Sequence, residues 1–110
     1  MDWTLRELQA RIDDAIESTG RGYFSPLANV ARICEEAGEI ARVVNHHFGD
    51  KPKKSTEAEQ DLGEEIGDLI FAALCLLNSQ GLDLQPVLER VVAKCASRDR
   101  QRFSEGQSGS

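Results

Sequence analysis

Apolar residues recur every three or four positions along the chain, in four successive segments, which is the pattern of amphipathic α-helices. The first segment begins at Thr4, where a glutamate three residues later, Glu7, completes a capping box, and it ends before Gly20. The second begins at Ser25, an N-cap residue followed directly by proline, and ends at Gly49. These signals predict the first two helices.

The third helix is predicted from about Glu57 to Gln80, after a polar loop with three lysines. From Leu69 onward it is apolar nearly all round, so its second half is expected at the centre of the protein or at a subunit interface. Asp83 can cap a fourth helix, whose apolar positions are expected to form a buried face. These positions are Val87, Leu88, Val91, Val92 and Cys95.

No segment shows the two-residue alternation of a β-strand, so the sequence predicts an all-α protein, a four-helix bundle. The bundle is expected to occupy residues 1–103. The polar residues 104–110 are expected to form a disordered tail. Since a unit this small carries a very apolar third helix, we expect it to assemble as an oligomer, a homodimer or a homotetramer.

Two acidic segments, residues 35–39 and 64–68, repeat one pattern: two glutamates, a small or apolar residue, a glycine and a third acid. In each segment, two acids one helical turn apart border the apolar face, so the two pairs are expected to meet where the helices pack. These acids are Glu36, Glu39, Glu65 and Asp68.

A divalent metal site would explain why like charges stand one turn apart, where they repel each other. A close helix crossing would explain Gly38 and Gly67, each of which costs a helix about 1 kcal/mol relative to alanine. Carboxylates favour Mg²⁺ or Mn²⁺. The alternative is a solvated acidic face. A di-iron site is disfavoured because neither His46 nor His47 follows a glutamate at the required three-residue spacing.

The net charge and the lengths of the apolar runs argue against several classes of protein. A net charge of -6 argues against a general nucleic-acid-binding protein. The longest apolar run, residues 69–77, is far shorter than the roughly 20 residues of a membrane span. The charged N-terminal residues do not resemble a secretory signal, so a cytoplasmic protein is expected. Cys34, Cys75 and Cys95 are widely spaced and are expected to be buried, reduced side chains.

The acidic segments carry a family resemblance. Glu-x-x-Glu followed by Glu-x-x-Asp resembles the motif of the MazG-like superfamily of all-α nucleoside triphosphate pyrophosphohydrolases. The flanking segments, residues 23–29, 67–72 and 81–84, are similar to those of the short single-domain bacterial members. The resemblance extends over residues 3–103.

This resemblance implies an enzyme that hydrolyses a nucleoside triphosphate to the monophosphate and pyrophosphate with Mg²⁺, as nucleotide-pool house-cleaning. It implies that Glu36, Glu39, Glu65 and Asp68 bind the metal. Glu35 would be either a further ligand or the base that orients the attacking water. The substrate is left open among dUTP, dCTP, phosphoribosyl-ATP and other nucleotides. A non-enzymatic helical module that senses nucleotides or binds a partner is the alternative.

An acidic protein must still bind the polyphosphate of its substrate. Lys94 and Arg98 lie one turn apart on the fourth helix and could do so, or could form a solvated basic helix end. Lys51, Lys53 and Lys54 are expected to be solvated.

Asn78, in an apolar stretch, could contact substrate or cap the turn at Gly81. Three aromatic residues could stack on a base, but packing in the core is the expected role: Trp3, Phe24 and Phe48.

Overall fold

The computed structural model describes residues 2–49 and 55–108, with side chains described for residues 2–49 and 61–100. It contains four helices: α1 (Leu5–Thr19), α2 (Pro26–Phe48), α3 (Ser55–Ser79) and α4 (Leu84–Ser108). The all-α, four-helix prediction is confirmed. The lysine-containing loop between α2 and α3 lies outside the described residues. No helix in the described part of the chain is long and apolar enough to span a membrane.

The helix ends follow the local sequence signals. The Thr4 hydroxyl accepts a hydrogen bond from the backbone N–H of Glu7 at 3.1 Å, and the Glu7 carboxylate accepts one from the N–H of Thr4, so the capping box forms. The Ser25 hydroxyl accepts from the N–H of Ala28 at 3.2 Å and caps α2. Gly20 ends α1 with φ of 73°, a conformation that side chains disfavour.

Helices α2 and α3 form a long antiparallel pair, α1 packs across α3, and α4 packs mainly against α1. The core lies where α1 meets the second half of α3. There Ile12, Leu74 and Cys75 are buried, and Ala72 is completely buried. The second half of α3 was expected at the centre of the protein or at a subunit interface, and within this chain it lies at the centre. Five partly buried residues surround this core: Ile16, Tyr23, Phe71, Leu77 and Leu84.

A hydrogen-bond network centred on Gln9 joins α1, α3 and the start of α4. The buried Gln9 amide donates to the Asn78 side-chain oxygen at 2.7 Å and to the Leu82 carbonyl at 2.9 Å, and it accepts from the N–H of Leu84 at 2.9 Å. The Asn78 amide donates to the backbone carbonyl of Gln9 at 2.8 Å and to the Tyr23 hydroxyl at 3.0 Å. The network therefore orients three helices.

Tyr23 extends this network to the surface. Its hydroxyl donates to the carboxylate of Asp13. Desolvation and the hydrogen bond to Asp13 raise the pKa of Tyr23 to about 12, although the hydrogen bond from Asn78 acts in the opposite direction. Tyr23 is therefore neutral at physiological pH and fixes the α1–α2 connection to α1 and α3.

Two predictions about burial are wrong. The apolar residues of α4 were expected to form a buried face, but Val87, Leu88, Val91 and Val92 are 39–61% exposed. The reason is that α4 packs mainly against α1 and makes few contacts with the other helices in the described part of the chain. Of the three cysteines, Cys75 is buried, whereas Cys34 and Cys95 are exposed because they lie on outward faces of α2 and α4.

The end of α4 lies beyond residue 103, the predicted end of the domain. The helix continues to Ser108, past Ser104, where polar composition predicts that order ends. Residues 98–102 include no glycine or proline, so no stop signal precedes Ser104, and the helical backbone runs on through Gly106. The disordered tail at residues 104–110 stays a prediction, and residues 109–110 lie outside the described residues. The domain boundary at residue 103 stays a prediction.

Candidate metal centre

The two acidic segments meet across the α2–α3 pair. Carboxylate oxygens of Glu36, Glu65 and Asp68 all lie within 4.8 Å of one another. Glu36 and Glu65 are half-buried between the helices, and Asp68 is exposed. The spatial convergence that helical spacing predicts is thus present, and the role of these residues as metal ligands stays a prediction.

Glu39 lies beside this cluster, but its carboxylate is paired with a basic residue. Its carboxylate forms an ion pair and a hydrogen bond with Arg42, one turn further along α2. The hydrogen bond with Arg42 lowers the pKa of Glu39. Glu39 nevertheless lies close enough to Glu65 to act on its ionisation. Glu39 can therefore join the three clustered carboxylates if its side chain leaves Arg42.

The electrostatics of the cluster favour a cation. Partial desolvation, together with the negative charges of Glu39, Asp68 and Glu36, raises the pKa of Glu65. Ionised Glu65 is thus disfavoured by its surroundings, and a bound cation would relieve this repulsion. The donors are all carboxylate oxygens, which suit the hard cations Mg²⁺ and Mn²⁺. The residues present therefore fit a divalent metal ion.

The two glycines of the acidic segments do not mark a close helix crossing. A Cβ atom added at Gly38 or Gly67 would meet no atom within 4 Å, and both residues are exposed. The expectation of a close crossing there is wrong within this chain. The reason is that each glycine lies on the outer side of its helix, away from the partner helix.

An open groove adjoins the cluster on the α2 side, with a volume of about 480 Å³. Glu35 is exposed at this groove, next to Glu36. Phe24 forms the opposite end and is 58% exposed. The groove is lined by Phe24, Ala28, Ala31, Arg32, Glu35 and Glu36. Its size is within the range of small-ligand sites.

The expectation of core packing for the aromatic residues is not met. Phe24 and Phe48 are 58% and 72% exposed, and Trp3 is 38% exposed. The guanidinium carbon of Arg11 lies 4.6 Å from the centre of the Trp3 ring, so that ring makes a cation–π contact at the surface. Of the three, Phe24 adjoins the groove beside the acidic cluster.

The predicted substrate-binding residues lie on two elements, α4 and the end of α3. Lys94 and Arg98 are exposed on α4, which packs mainly against α1 rather than against the α2–α3 pair. Asn78 uses its side-chain oxygen and its amide nitrogen in the Gln9 network, and its backbone carbonyl accepts a hydrogen bond from the N–H of Gly81. The structure thus shows Asn78 joining helices. Substrate binding by these three residues stays a prediction.

Two residues at the α2–α3 interface escaped the sequence analysis. His47 is buried, and its Nε2 lies 3.2 Å from a carboxylate oxygen of Asp61 on α3. The sequence offers no signal for this pair, because a histidine at a helix end is also explained by the helix dipole. Arg32 lines the groove and contacts Phe71. Its position four residues before Glu36 could have indicated a place near the acidic cluster.

Comparisons with known proteins identify a matching family and similar sequences. Residues 24–103 match the family model of the MazG nucleotide pyrophosphohydrolase domain. Two Bacillus subtilis proteins, both uncharacterized, are similar to this chain. YpjD is 45% identical over 108 residues, with 98% of this chain and 97% of YpjD covered, and YvdC is 33% identical over 100 residues, with 86% and 94% covered.

Two crystal structures share the fold. That of YpjD from Bacillus subtilis, a proposed pyrophosphatase, matches with a TM-score of 0.74 and 48% identity, covering 86% of this chain and 96% of that one. That of the Bacillus-conserved MazG protein, a nucleotide pyrophosphohydrolase, matches with a TM-score of 0.72 and 38% identity, covering 84% and 90%. The chain therefore belongs to the MazG nucleotide pyrophosphohydrolase family and is a hydrolase of this class.

Proposed function

We propose that this protein is a Mg²⁺-dependent nucleoside triphosphate pyrophosphohydrolase that converts a ribo- or deoxyribonucleoside triphosphate and water to the monophosphate and pyrophosphate. The observation that carries the proposal is the cluster of Glu36, Glu65 and Asp68, whose oxygens lie within 4.8 Å of one another in a chain of this family. The similar Bacillus-conserved MazG protein is described as a nucleotide pyrophosphohydrolase, which supports the same class of substrate.

The side chains have distinct roles in this proposal. Glu36, Glu65 and Asp68 hold the metal, and Glu39 joins them on leaving Arg42. The metal ion, Mg²⁺ or Mn²⁺, neutralises phosphate oxygens and activates water when it is bound. Glu35, exposed at the groove beside Glu36, orients the attacking water and accepts its proton.

The expected cellular role is the removal of unwanted or excess nucleotides in the cytoplasm. The groove beside the acidic cluster is open, so its walls alone do not select one base among dUTP, dCTP, phosphoribosyl-ATP and others. A nucleotide sensor without turnover would also use this groove. The two functions differ in whether product forms.

Product analysis tests this proposal. Purified protein is incubated with Mg²⁺ and each standard or damaged nucleoside triphosphate, and the products are separated and counted. We expect monophosphate and pyrophosphate in equal amounts from at least one nucleotide, and no product when the metal is chelated. Release of orthophosphate instead, or nucleotide binding without any turnover, would contradict the proposal and favour the sensor.

We also propose that the protein assembles as a homodimer or homotetramer. The apolar residues of α4 that were expected to be buried are 39–61% exposed within one chain, and α2 adds Leu27 and Val30 at 84% and 47%. Exposed apolar surface of this kind is typical of interfaces. A partner chain could also bring Lys94 and Arg98 to the substrate.

Val91→Asp tests the assembly. Val91 is 49% exposed at the centre of the apolar surface of α4, and a buried charge there would cost several kcal/mol. We expect sedimentation to show a dimer or tetramer for the wild type and a monomer for Val91→Asp. Ser97→Asp places the same charge on the opposite side of α4 and is expected to leave the assembly unchanged. A wild type that sediments as a monomer at micromolar concentration would contradict the prediction.

A further inference from the structure

Arg32 lies beside the acidic cluster, held in place by an aromatic ring. It precedes Glu36 by four residues on α2, a rise of about 6 Å along the helix axis. Its guanidinium carbon lies 5.8 Å from the centre of the Phe71 ring on α3, and Phe71 follows Asp68 by three residues. Both Arg32 and Phe71 thus lie one turn from the cluster, towards the same end of the antiparallel pair.

The guanidinium has no carboxylate partner among the described residues. The ion pairs in this part of the chain join Arg6 to Asp83 and Arg42 to Glu39, and the His47 ring contacts the carboxylate of Asp61. Glu36, four residues after Arg32, is at the usual spacing for a helical ion pair, yet it takes no part in one. Arg32 therefore keeps its charge and its N–H donors for another acceptor.

The groove places Arg32 between two other features. Phe24 forms one end, Glu35 and Glu36 form the other, and Arg32 lies between them on the α2 wall. Arg32 and Phe24 also line a smaller adjoining cavity of about 70 Å³. Along the groove, the order is therefore an aromatic ring, a cation and the acidic cluster. A nucleotide has its base, its sugar-proximal phosphate and its distal phosphates in the same order.

The negative charge of the acidic residues would repel a triphosphate, so a cation is needed to bind it. A triphosphate would approach the three clustered acids together with Glu35 and Glu39, and Arg42, a cation beside them, is already paired with Glu39. Lys94 and Arg98 lie on α4, which packs mainly against α1. Arg32 is therefore the cation of this chain that adjoins the groove and has no ion-pair partner in the described structure.

We propose that Arg32 binds the phosphate chain of the nucleotide, with Phe24 forming the wall of the groove on the side of the base. The inference rests on the function proposed above and names a substrate-binding residue for it. The planar guanidinium fork matches phosphate oxygens and can form two parallel hydrogen bonds. The contact with Phe71 holds the side chain beside the groove before substrate arrives, which reduces the entropy lost on binding.

Calorimetry with inorganic tripolyphosphate and Mg²⁺ tests this role without depending on the base. Hydrogen bonds to charged groups contribute about 1.5–3 kcal/mol, so Arg32→Gln is expected to weaken tripolyphosphate binding about 10- to 100-fold. For the nucleotide that the wild type hydrolyses, KM should rise similarly, with a smaller change in kcat. Arg32→Lys keeps the charge but loses the fork, and it should recover part of the affinity.

Two controls separate substrate binding from structure. Arg11→Gln also removes a guanidinium from an aromatic ring, that of Trp3, and should leave tripolyphosphate affinity unchanged. Mn²⁺ binding without phosphate should be the same in Arg32→Gln as in the wild type. Unchanged tripolyphosphate affinity in Arg32→Gln, or an equal loss of Mn²⁺ binding, would overturn the inference. A wild type that binds tripolyphosphate through Arg32 but hydrolyses no nucleotide would instead overturn only the proposed function.

Discussion

Replacing Glu65 by glutamine is expected to reduce pyrophosphate release at least about 100-fold. Changes in residues that merely support metal ligands already cost about 10- to 100-fold in metal affinity or activity, so the loss of a ligand should cost more. Glu65 is the half-buried member of the cluster on α3, and its oxygens lie within 4.8 Å of those of Glu36 and Asp68. Glutamine keeps the size of the side chain and removes its charge.

The same substitution should not unfold the protein. Desolvation and the neighbouring carboxylates raise the pKa of Glu65 in the folded state, so the ionised side chain destabilises the metal-free fold at neutral pH. This penalty disappears below the ordinary pKa of a glutamate, and it disappears in Glu65→Gln at every pH. We therefore expect the metal-free variant to have the same free energy of unfolding as the wild type or a higher one.

Glu64→Gln is the matched control for this prediction. Glu64 is exposed and precedes Glu65 on the same helix, so the two variants have the same composition and net charge. We expect Glu64→Gln to retain the activity of the wild type. Equal activity in the two variants would show that the acidic cluster does not take part in catalysis. A strongly destabilised Glu65→Gln would show that Glu65 supports the fold instead.

Replacing Gln9 by leucine is expected to lower the free energy of unfolding by about 3 kcal/mol. The Gln9 side chain is 7% exposed and forms hydrogen bonds with the Asn78 side chain, the Leu82 carbonyl and the Leu84 N–H. Leucine fills a similar volume and leaves all three partners without an acceptor or donor. Each unsatisfied buried group costs about 1–3 kcal/mol, and water recovers part of the loss.

Urea unfolding followed by circular dichroism measures this loss, with Gln80→Leu as the control. Gln80 is exposed on the turn after α3, so the same chemical change there should alter stability by less than about 0.5 kcal/mol. If Gln9→Leu were as stable as Gln80→Leu, the network would not hold α1, α3 and α4 together.

Local signals made much of the fold predictable. Thr4 and Ser25 cap the helices that they were expected to cap, because N-cap hydrogen bonds reach only two or three residues along the chain. Gly20 and Gly81 end their helices with positive φ for the same local reason. The acidic cluster was predictable too, since helical periodicity fixes which side chains border a packing face.

Features that depend on packing between distant segments were not predictable. Gln9 and Asn78 are 69 residues apart, and nothing near either residue indicates the other. The apolar face of α4 has a sound amphipathic pattern, but a pattern does not reveal whether its partner belongs to the same chain. Gly38 and Gly67 carry a cost that the chain alone does not explain.

Arg32 illustrates the same limit at the site itself. The sequence shows a basic residue one turn before Glu36, and this spacing is equally consistent with a helical ion pair. Only the fold shows that Arg32 faces Phe71 and that it lines the groove beside Glu36 without pairing with it. Lys94 and Arg98 were easier to predict as phosphate-binding residues, because they belong to a basic cluster that is visible in the sequence.

The central claim is that the four acids of α2 and α3 hold a divalent metal ion. Calorimetric titration of the metal-free wild type with Mn²⁺ tests it most directly. We predict saturable binding that Mg²⁺ competes away, that is lost in Glu65→Gln, and that remains in Glu64→Gln. Absence of binding in the wild type, or binding that Glu65→Gln retains unchanged, would contradict this account.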